Sequence, residues 1–257
     1  MMPARFIKNQ RLTIIMEIGI IGTGDMGRAY AREFSRLGYR VNCCDLPGKK
    51  GGLENELDKP GIHIMDNGIS VSRRSDIIFY LVETENIEKA AAQYGAATRK
   101  GAIVSSGASV MTPAVNAFKK YLPQDVNIIN WHWLFGHSIA PKGQNTIVVN
   151  YKSSPEAYKE AMSLFKRIET NCIELASCKE HDRITGNTQG ATQVGFESMG
   201  TAWKNMGSFP WENPSYLGGI DNVKVLMCLR IYAGKSHVYS GLAIMNPFAR
   251  EQIEQYS

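Results

Sequence analysis

Among the 257 residues no apolar run approaches the roughly eighteen that a membrane-spanning helix needs. A membrane partner is therefore not expected. No CxxC pair occurs, and the cysteines (Cys43, Cys44, Cys172, Cys178 and Cys228) are odd in number. An odd, scattered set is no disulfide framework, so free thiols in a reducing, cytoplasmic setting are expected. The five histidines include no HExxH, no HxH pair and no Cys/His cluster, which leaves no metal site to predict. Clustered basic charge is also missing. The net charge is only +5, and the pairs Lys49-Lys50, Arg73-Arg74 and Lys119-Lys120 lie far apart. That excludes the basic footprint of a nucleic-acid binder. There are no internal repeats and no low-complexity tracts. Residues 1–13 carry Arg5, Lys8 and Arg11 with no acid, but lack the serine-rich amphipathic pattern of an organellar presequence. They are expected to be a frayed leader.

What is present begins at Glu17-Ile18-Gly19-Ile20-Ile21, a run rich in β-branched residues that stops at Gly22. Thr23, Gly24, Asp25, Met26 and Gly27 complete the spacing GxGxxG, and helical periodicity follows from Arg28 to Leu37. A strand feeding a helix through such a turn gathers backbone N–H groups and the positive end of a helix dipole at one point. Gly22 permits the tight turn, Gly24 lets a pyrophosphate approach the backbone, and Gly27 lets the helix pack close to its strand. The acidic residue that the motif requires is Asp45, about twenty residues on, at the end of the strand-like run Arg40–Cys44. Together these predict a dinucleotide site.

Further along, Pro47–Gly52 is expected to be an irregular loop because of its glycines. A short strand is expected near Ile62–Ile64 and a short helix near Asn67–Arg73. The apolar run Ile77–Val82 has the composition of a buried parallel strand. A helix over Asn86–Tyr94, a strand at Ala102–Val104 and a helix from Pro113 to Tyr121 come next. Strands at Val126–Asn130, Thr146–Asn150 and Cys172–Leu175 follow, with a helix at Pro155–Ile168 between the last two. This alternation predicts a Rossmann-type, doubly wound, mostly parallel α/β sheet over residues 14–176. From Ser177 the rhythm turns helical. Ile184, Thr188, Ala191, Thr192, Gly195, Met199 and Ala202 recur at three or four residues, and Pro210 and Pro214 interrupt the pattern. Helices resume at Asp221–Ala233 and Ser236–Ile244, with a short one after Pro247. Residues 177–257 are thus expected to form an all-helical substrate and dimerisation domain, whose thin core needs a second copy to complete it.

Ligands of open α/β sheets sit at the carboxyl ends of the strands, where Asp45, Ser105–Ser109 and His132 fall. His132, read as just beyond the strand ending at Asn130, is either a general base with a pKa near working pH or a histidine packed between Trp131 and Trp133. Ser109 is either a substrate-binding hydroxyl or a turn and cap residue. In His181-Asp182 the pair points into the inter-domain cleft, or Asp182 only favours the positive helix end. Arg230 lies between Leu229 and Ile231, an apolar setting in which guanidinium must be paired. It is tied either to a structural carboxylate or to a substrate carboxylate. His63, His137 and His237 read as solvated or loop positions. Asp45 favours NAD by accepting from a ribose hydroxyl, whereas Lys49 and Lys50 would neutralise the 2′-phosphate of NADP.

The joint features resemble the prephenate dehydrogenase family, and its fungal branch most closely. IGIIGTGDMGRAYAREF (18–34) followed by CCD (43–45) is similar to the family's nucleotide-binding start, and HWLFG (132–136) to its HPMFG segment. EHDRIT (180–185), SMGTAW (198–203), NVKVLMCLRIY (222–232) and HVYSGLAIMNP (237–247) are similar to its helical stretches. Bacterial members carry lysine where this chain has Met111 and proline where it has Trp133. The resemblance implies oxidative decarboxylation of prephenate to 4-hydroxyphenylpyruvate in tyrosine biosynthesis, with NADP as oxidant and NAD as the second choice. It implies that His132 and Ser109 are catalytic and that Arg230 and His181 bind substrate. The cofactor residues are Gly22, Thr23, Gly24, Asp25, Met26, Gly27, Asp45 and Lys49, and the unit is a homodimer formed through the helical domain. Fungal members run well beyond this length, so the helical part is expected to be abbreviated or to lack a C-terminal region. Arogenate dehydrogenase and a nucleotide-binding regulator without turnover are the alternatives.

Overall fold

A computed structural model describes residues 16–213, 215 and 218–255. The expected leader at 1–13 and the helix-breaking Pro214 lie outside the described residues. Eight strands form one sheet: β1 (Glu17–Ile21), β2 (Arg40–Cys44), β3 (Ile62–Ile64), β4 (Ile77–Tyr80), β5 (Ile103–Ser105), β6 (Asn127–Trp133), β7 (Asn145–Lys152) and β8 (Asn171–Glu174). Their spatial order is β3-β2-β1-β4-β5-β6-β7-β8, and only the β6–β7 pairing is antiparallel. The order reverses between β1 and β4, so a crevice opens at their carboxyl ends, where doubly wound sheets bind ligands. The fold is the mostly parallel, doubly wound sheet with a helical C-terminal region.

The helices that cover the sheet are α1 (Asp25–Arg36), α2 (Lys50–Glu56), α3 (Gly68–Arg74), α4 (Ile87–Tyr94), α5 (Thr112–Tyr121) and α6 (Pro155–Ile168). One core joins α1, α2 and α6 to the sheet through Tyr30, Phe34, Leu53, Ala161 and Phe165. The second core lies on the opposite face, where Val71, Ile87, Ala91, Val115 and Phe118 bring in α3, α4 and α5. Strand side chains alternate between these two cores because a strand's side-chain period is two. After β8 the described chain is helical: α7 (Cys178–Thr185), a π-helical stretch (Gly186–Ala191), α8 (Thr192–Met206), α9 (Ile220–Tyr232), α10 (Ser236–Met245) and α11 (Ala249–Glu254). Ser177 opens α7 by accepting from the Glu180 amide at 3.1 Å, while the Glu180 carboxylate reaches back to the Ala176 amide.

Two expectations are corrected. Pro47–Gly52 is not irregular: a 3₁₀ turn (Pro47–Lys49) runs straight into α2. Leu53, 2% exposed, pins that helix to the core, and Lys50 is held by Glu54 and Asp66, so packing outweighs the cost of two helical glycines. Second, β6 does not end at Asn130 but continues through His132 to Trp133, because β7 turns back antiparallel and pairs His132 with Ile147 and Trp133 with Thr146. Within the single chain the small-residue face from Ile184 to Ala202 is mostly solvent-facing, with only Ala191 buried. The buried side of α7 carries His181, Asp182 and Thr185 instead. The π-helical stretch holds more residues per turn than an α-helix, which rotates α8 out of phase with α7.

Candidate active site

The first βα turn is built on two close approaches. A Cβ placed on Gly27 would lie 2.2 Å from the Gly22 carbonyl oxygen, and one on Gly22 (φ +95°) would meet the Leu81 carbonyl at 2.6 Å. At Gly24 an added Cβ meets nothing within 4 Å, so the turn is open on that side. Thr23 is buried, and its hydroxyl donates to the Cys44 carbonyl at 2.9 Å. Asp25 stands in the first turn of α1 and pairs with Lys235 at 2.5 Å, a contact from the α9–α10 junction. That hydrogen bond holds the Asp25 carboxyl below the usual carboxylate range, with His137 and Arg28 adding to the effect. Met26 packs partly buried against the first core.

Two cavities meet at Gly24. One, of about 350 Å³, is lined by Gly22, Asp45, Leu46, Lys49 and Lys89. The other, of about 500 Å³, is lined by Asp25, Ser109, His137, Arg230, Lys235 and Tyr239. In the first, Asp45 is already engaged: its carboxylate accepts from the Thr23 amide at 2.8 Å and the Leu46 amide at 2.7 Å, and pairs with Lys49 at 3.1 Å. The side chain is 9% exposed, while Lys49 extends into solvent. Asp45 therefore braces the turn, and Lys49, which lines the same cavity, is the more exposed member of the pair.

At the mouth of the second cavity the side chains of β6 sort by face. Trp131 and Trp133 point into the first core, where Trp133 lies against Tyr30 with ring centroids 3.9 Å apart. His132 points to the other face, so it is not packed between the tryptophans. Its Nε2 is 2.9 Å from the Ser109 hydroxyl, and its Nδ1 is 3.1 Å from Nε2 of His181. The His181 Nδ1 in turn lies 2.8 Å from Asp182 Oδ1. The Asp182 carboxylate also accepts from the Met111 and Thr112 amides at 2.7 and 2.8 Å, at the start of α5. Ser109 is half-buried and borders the cavity, whereas His132, His181 and Asp182 are 5%, 1% and 0% exposed. Burial, and then the His181 imidazole, hold His132 well below the ordinary histidine value, so it is neutral at working pH.

His181 is thus behind His132, out of reach of the cavity, and Asp182 neither points into the cleft nor caps its own helix. Arg230 is exposed in the last turn of α9 and borders the second cavity. It makes no hydrogen bond or ion pair among the described residues, so it is not tied to a structural carboxylate, the first of the two alternatives, and it is exposed rather than buried. His137 lies in the turn that the sequence indicates but borders the cavity too; its place just after HWLFG is the signal for it. His63 is exposed on β3, and the side chain of His237 lies outside the described residues. Asn130 carries no functional signal in the sequence beyond its place at a strand end. It is fully buried, and its Oδ1 accepts from the Ser106 amide at 2.9 Å, fixing the end of β5 against β6. Burial pushes the Cys44 and Cys178 thiols up, to about 12 and about 11, so neither is a ready nucleophile. Among the described residues no group of three or more His, Cys, Asp or Glu side chains could hold a metal, and no helix is long and apolar enough to cross a membrane.

Residues 17–109 match the family described as "NADP oxidoreductase coenzyme F420-dependent", and residues 190–257 match a family of the 6-phosphogluconate dehydrogenase C-terminal domain. Over 244 residues, 94% of the chain, the sequence is 44% identical to the probable NADP(+) prephenate dehydrogenase of Schizosaccharomyces pombe. It is 42% identical, over 93% of the chain, to the NADP(+) prephenate dehydrogenase of Saccharomyces cerevisiae. The chain is a homologue of the fungal prephenate dehydrogenases. It spans about half the length of these curated relatives, 56% and 54%. The fold is also that of the prephenate dehydrogenase from A. aeolicus in complex with hydroxyphenyl propionate and NAD+, with a TM-score of 0.77 at 15% identity, covering 94% of this chain and 87% of that one. As a prephenate dehydrogenase homologue, the chain carries the histidine of its HWLFG segment in the β6 ladder beside Ser109, at the junction of sheet and helical region.

Proposed function

We propose that this chain is an NADP-dependent prephenate dehydrogenase, oxidising and decarboxylating prephenate to 4-hydroxyphenylpyruvate for tyrosine biosynthesis. The observation that carries this is the 2.9 Å hydrogen bond between Ser109 and Nε2 of a buried, neutral His132, at the edge of a cavity that also holds an uncommitted arginine. The nucleotide fits the loop: Gly24 leaves room for a pyrophosphate against the amides at the start of α1, and Lys49 offers a cation to a 2′-phosphate. Asp45, its carboxylate taken up by two amides and Lys49, is a brace rather than a ribose acceptor, which favours NADP over NAD. Gly22, Thr23, Gly24, Asp25, Met26 and Gly27 form the cradle. When bound, the nicotinamide accepts the hydride from C4 of the substrate ring.

The side chains divide the remaining work. On substrate binding the Ser109 hydroxyl turns from His132 to hold the C4 hydroxyl beside Nε2, whose lone pair then takes the hydroxyl proton as C4 becomes a carbonyl. Loss of the ring carboxylate as CO2 then leaves an aromatic phenolate, and His132 returns the proton to its oxygen. Arg230 binds a substrate carboxylate through its planar fork. His181 supports His132 from behind. Residues 14–176 serve as the nucleotide-binding half and 177–257 as the helical half. Exposed Ile220, Val223, Leu226 and Leu229 on α9 support a homodimer formed through the helical region. Five free thiols support a reducing, cytoplasmic setting.

The test is reduction of NADP by purified chain with prephenate, followed at the nicotinamide absorbance, with NAD and arogenate as parallel arms and light scattering for the dimer. His132→Asn should lower kcat by about 10²–10⁴-fold, the contribution of a general base. Absence of prephenate-dependent reduction of either nucleotide defeats the proposal.

A further inference from the structure

The hydrogen bonds behind His132 can be oriented without ambiguity from one end. Asp182 has only acceptors to offer: its two carboxylate oxygens take the Met111 and Thr112 amides at 2.7 and 2.8 Å, and the third contact, at 2.8 Å, is His181 Nδ1. His181 must therefore carry its proton on Nδ1, which makes its Nε2 an acceptor. At 3.1 Å from that Nε2, His132 Nδ1 must be the donor. The His132 Nε2 is then the lone pair, and the Ser109 hydroxyl at 2.9 Å donates to it. A neutral imidazole free to choose its tautomer has no such commitment, and half the choices would place a hydrogen where the base must be bare.

We infer that Asp182 is a positioning residue that, through His181, fixes the tautomer of His132 and leaves Nε2 as the proton acceptor. The inference rests on the dehydrogenase reading for its consequence in turnover but not for its geometry. When His132 gains a proton at Nε2 it keeps the one on Nδ1. The positive charge then faces the lone pair of His181, whose own N–H points at the Asp182 carboxylate. No second proton moves. The same carboxylate satisfies two orphan amides at the start of α5, directly after the Ser109 loop. The Asp182 carbonyl is held from the other side by Asn246, at 2.8 Å, in the segment between α10 and α11. The tautomer therefore depends on α5 and the helical region being docked together.

The experiment is nitrogen-15 NMR of selectively labelled histidines in the ligand-free full chain, which reads the protonated ring nitrogen directly. Wild type should show His132 protonated on Nδ1 and bare on Nε2. Because His181 Nδ1 and the Met111 amide share one oxygen, Oδ1, Asp182→Asn can keep both bonds with its carbonyl, so the acceptor is removed outright with Asp182→Ala, which should free both rings and leave a large share of His132 with its hydrogen on Nε2. Asp182→Glu should keep the wild-type tautomers. His181→Gln serves as the second variant, since it cuts the chain while leaving the Asp182 bonds to α5. In turnover with prephenate, Asp182→Ala and His181→Gln should each lower kcat about 10²-fold or more with KM for prephenate and NADP within a few-fold, and the double variant should be no worse than either single one. Unchanged ring tautomers in Asp182→Ala overturn the inference, as do additive kcat losses. If the tautomers are released in Asp182→Ala but wild type never oxidises prephenate, the positioning role stands and the dehydrogenase proposal alone fails.

Discussion

Two glycines three residues apart separate folding from nucleotide binding. At Gly24 an added methyl meets no protein atom within 4 Å, and its φ of −71° is open to alanine. Gly24→Ala should therefore fold normally. By narrowing the unfolded ensemble it should even gain about 0.4–1 kcal/mol, a rise in Tm of about 1–4 °C for a chain of this size. The methyl would nevertheless occupy the open side of the turn, where a pyrophosphate must come against the backbone. Losing two charge-assisted hydrogen bonds at about 1.5–3 kcal/mol each weakens the Kd for NADP by about 10²-fold or more. Gly27→Ala is different. Its methyl would sit 2.2 Å from the Gly22 carbonyl oxygen, whereas ordinary contact begins at 3.4 Å. The start of α1 must retreat by about an ångström, at a cost of about 1–3 kcal/mol, so Tm and affinity should fall together. Thermal melts paired with NADP fluorescence titrations measure both quantities. A Gly24→Ala chain that binds NADP as wild type does would refute the reasoning, because the open side of the turn would then not be where the nucleotide lies.

Two further outcomes follow from the same surroundings. Lys49→Ala removes the one cation paired with Asp45 in the first cavity and should weaken NADP about tenfold while leaving NAD nearly unchanged. Equal losses for both nucleotides would place the 2′-phosphate elsewhere. The buried His132 also makes stability pH-dependent. Its folded pKa is depressed, so below about pH 6.5 the unfolded chain binds a proton that the native chain refuses. Its contribution is complete above that pH and is lost on acidification, at up to about 1.4 kcal/mol per pH unit. Urea melts of wild type and His132→Asn between pH 7 and 4.5 should diverge accordingly, and parallel pH profiles would count against a neutral buried imidazole.

The parts legible in the sequence are those set by neighbouring residues. The β1 turn and α1 follow from a run of β-branched side chains and three glycines, and the order of strands and helices follows from their periodicity. Positions decided by distant contacts are not legible. The apolar run of β6 points to an end at Asn130, whereas pairing with β7 determines where the strand stops. The glycines of α2 signal a loop, and only the core that Leu53 fills makes them helical. Arg230 reads as buried among leucine and isoleucine, yet Leu229 beside it is itself 44% exposed. The bond from Asp182 to the Met111 amide joins residues 71 apart, and nothing local announces it. Ser109, His132 and His181 can each be nominated as a candidate, but their order in one hydrogen-bonded line is a property of the packed chain.

The four tryptophans fall into two pairs with different surroundings. Trp131 and Trp133 are buried in the sheet core on the face opposite His132, while Trp203 and Trp211 stack edge to face at 5.9 Å in the helical region, with Trp211 41% exposed. The first pair should emit in the blue and the second toward the red. One emission spectrum recorded during unfolding would therefore follow the loss of the nucleotide-binding layer and of the helical layer as separate components. No dye or label is needed to learn whether the two halves come apart in one step or in two.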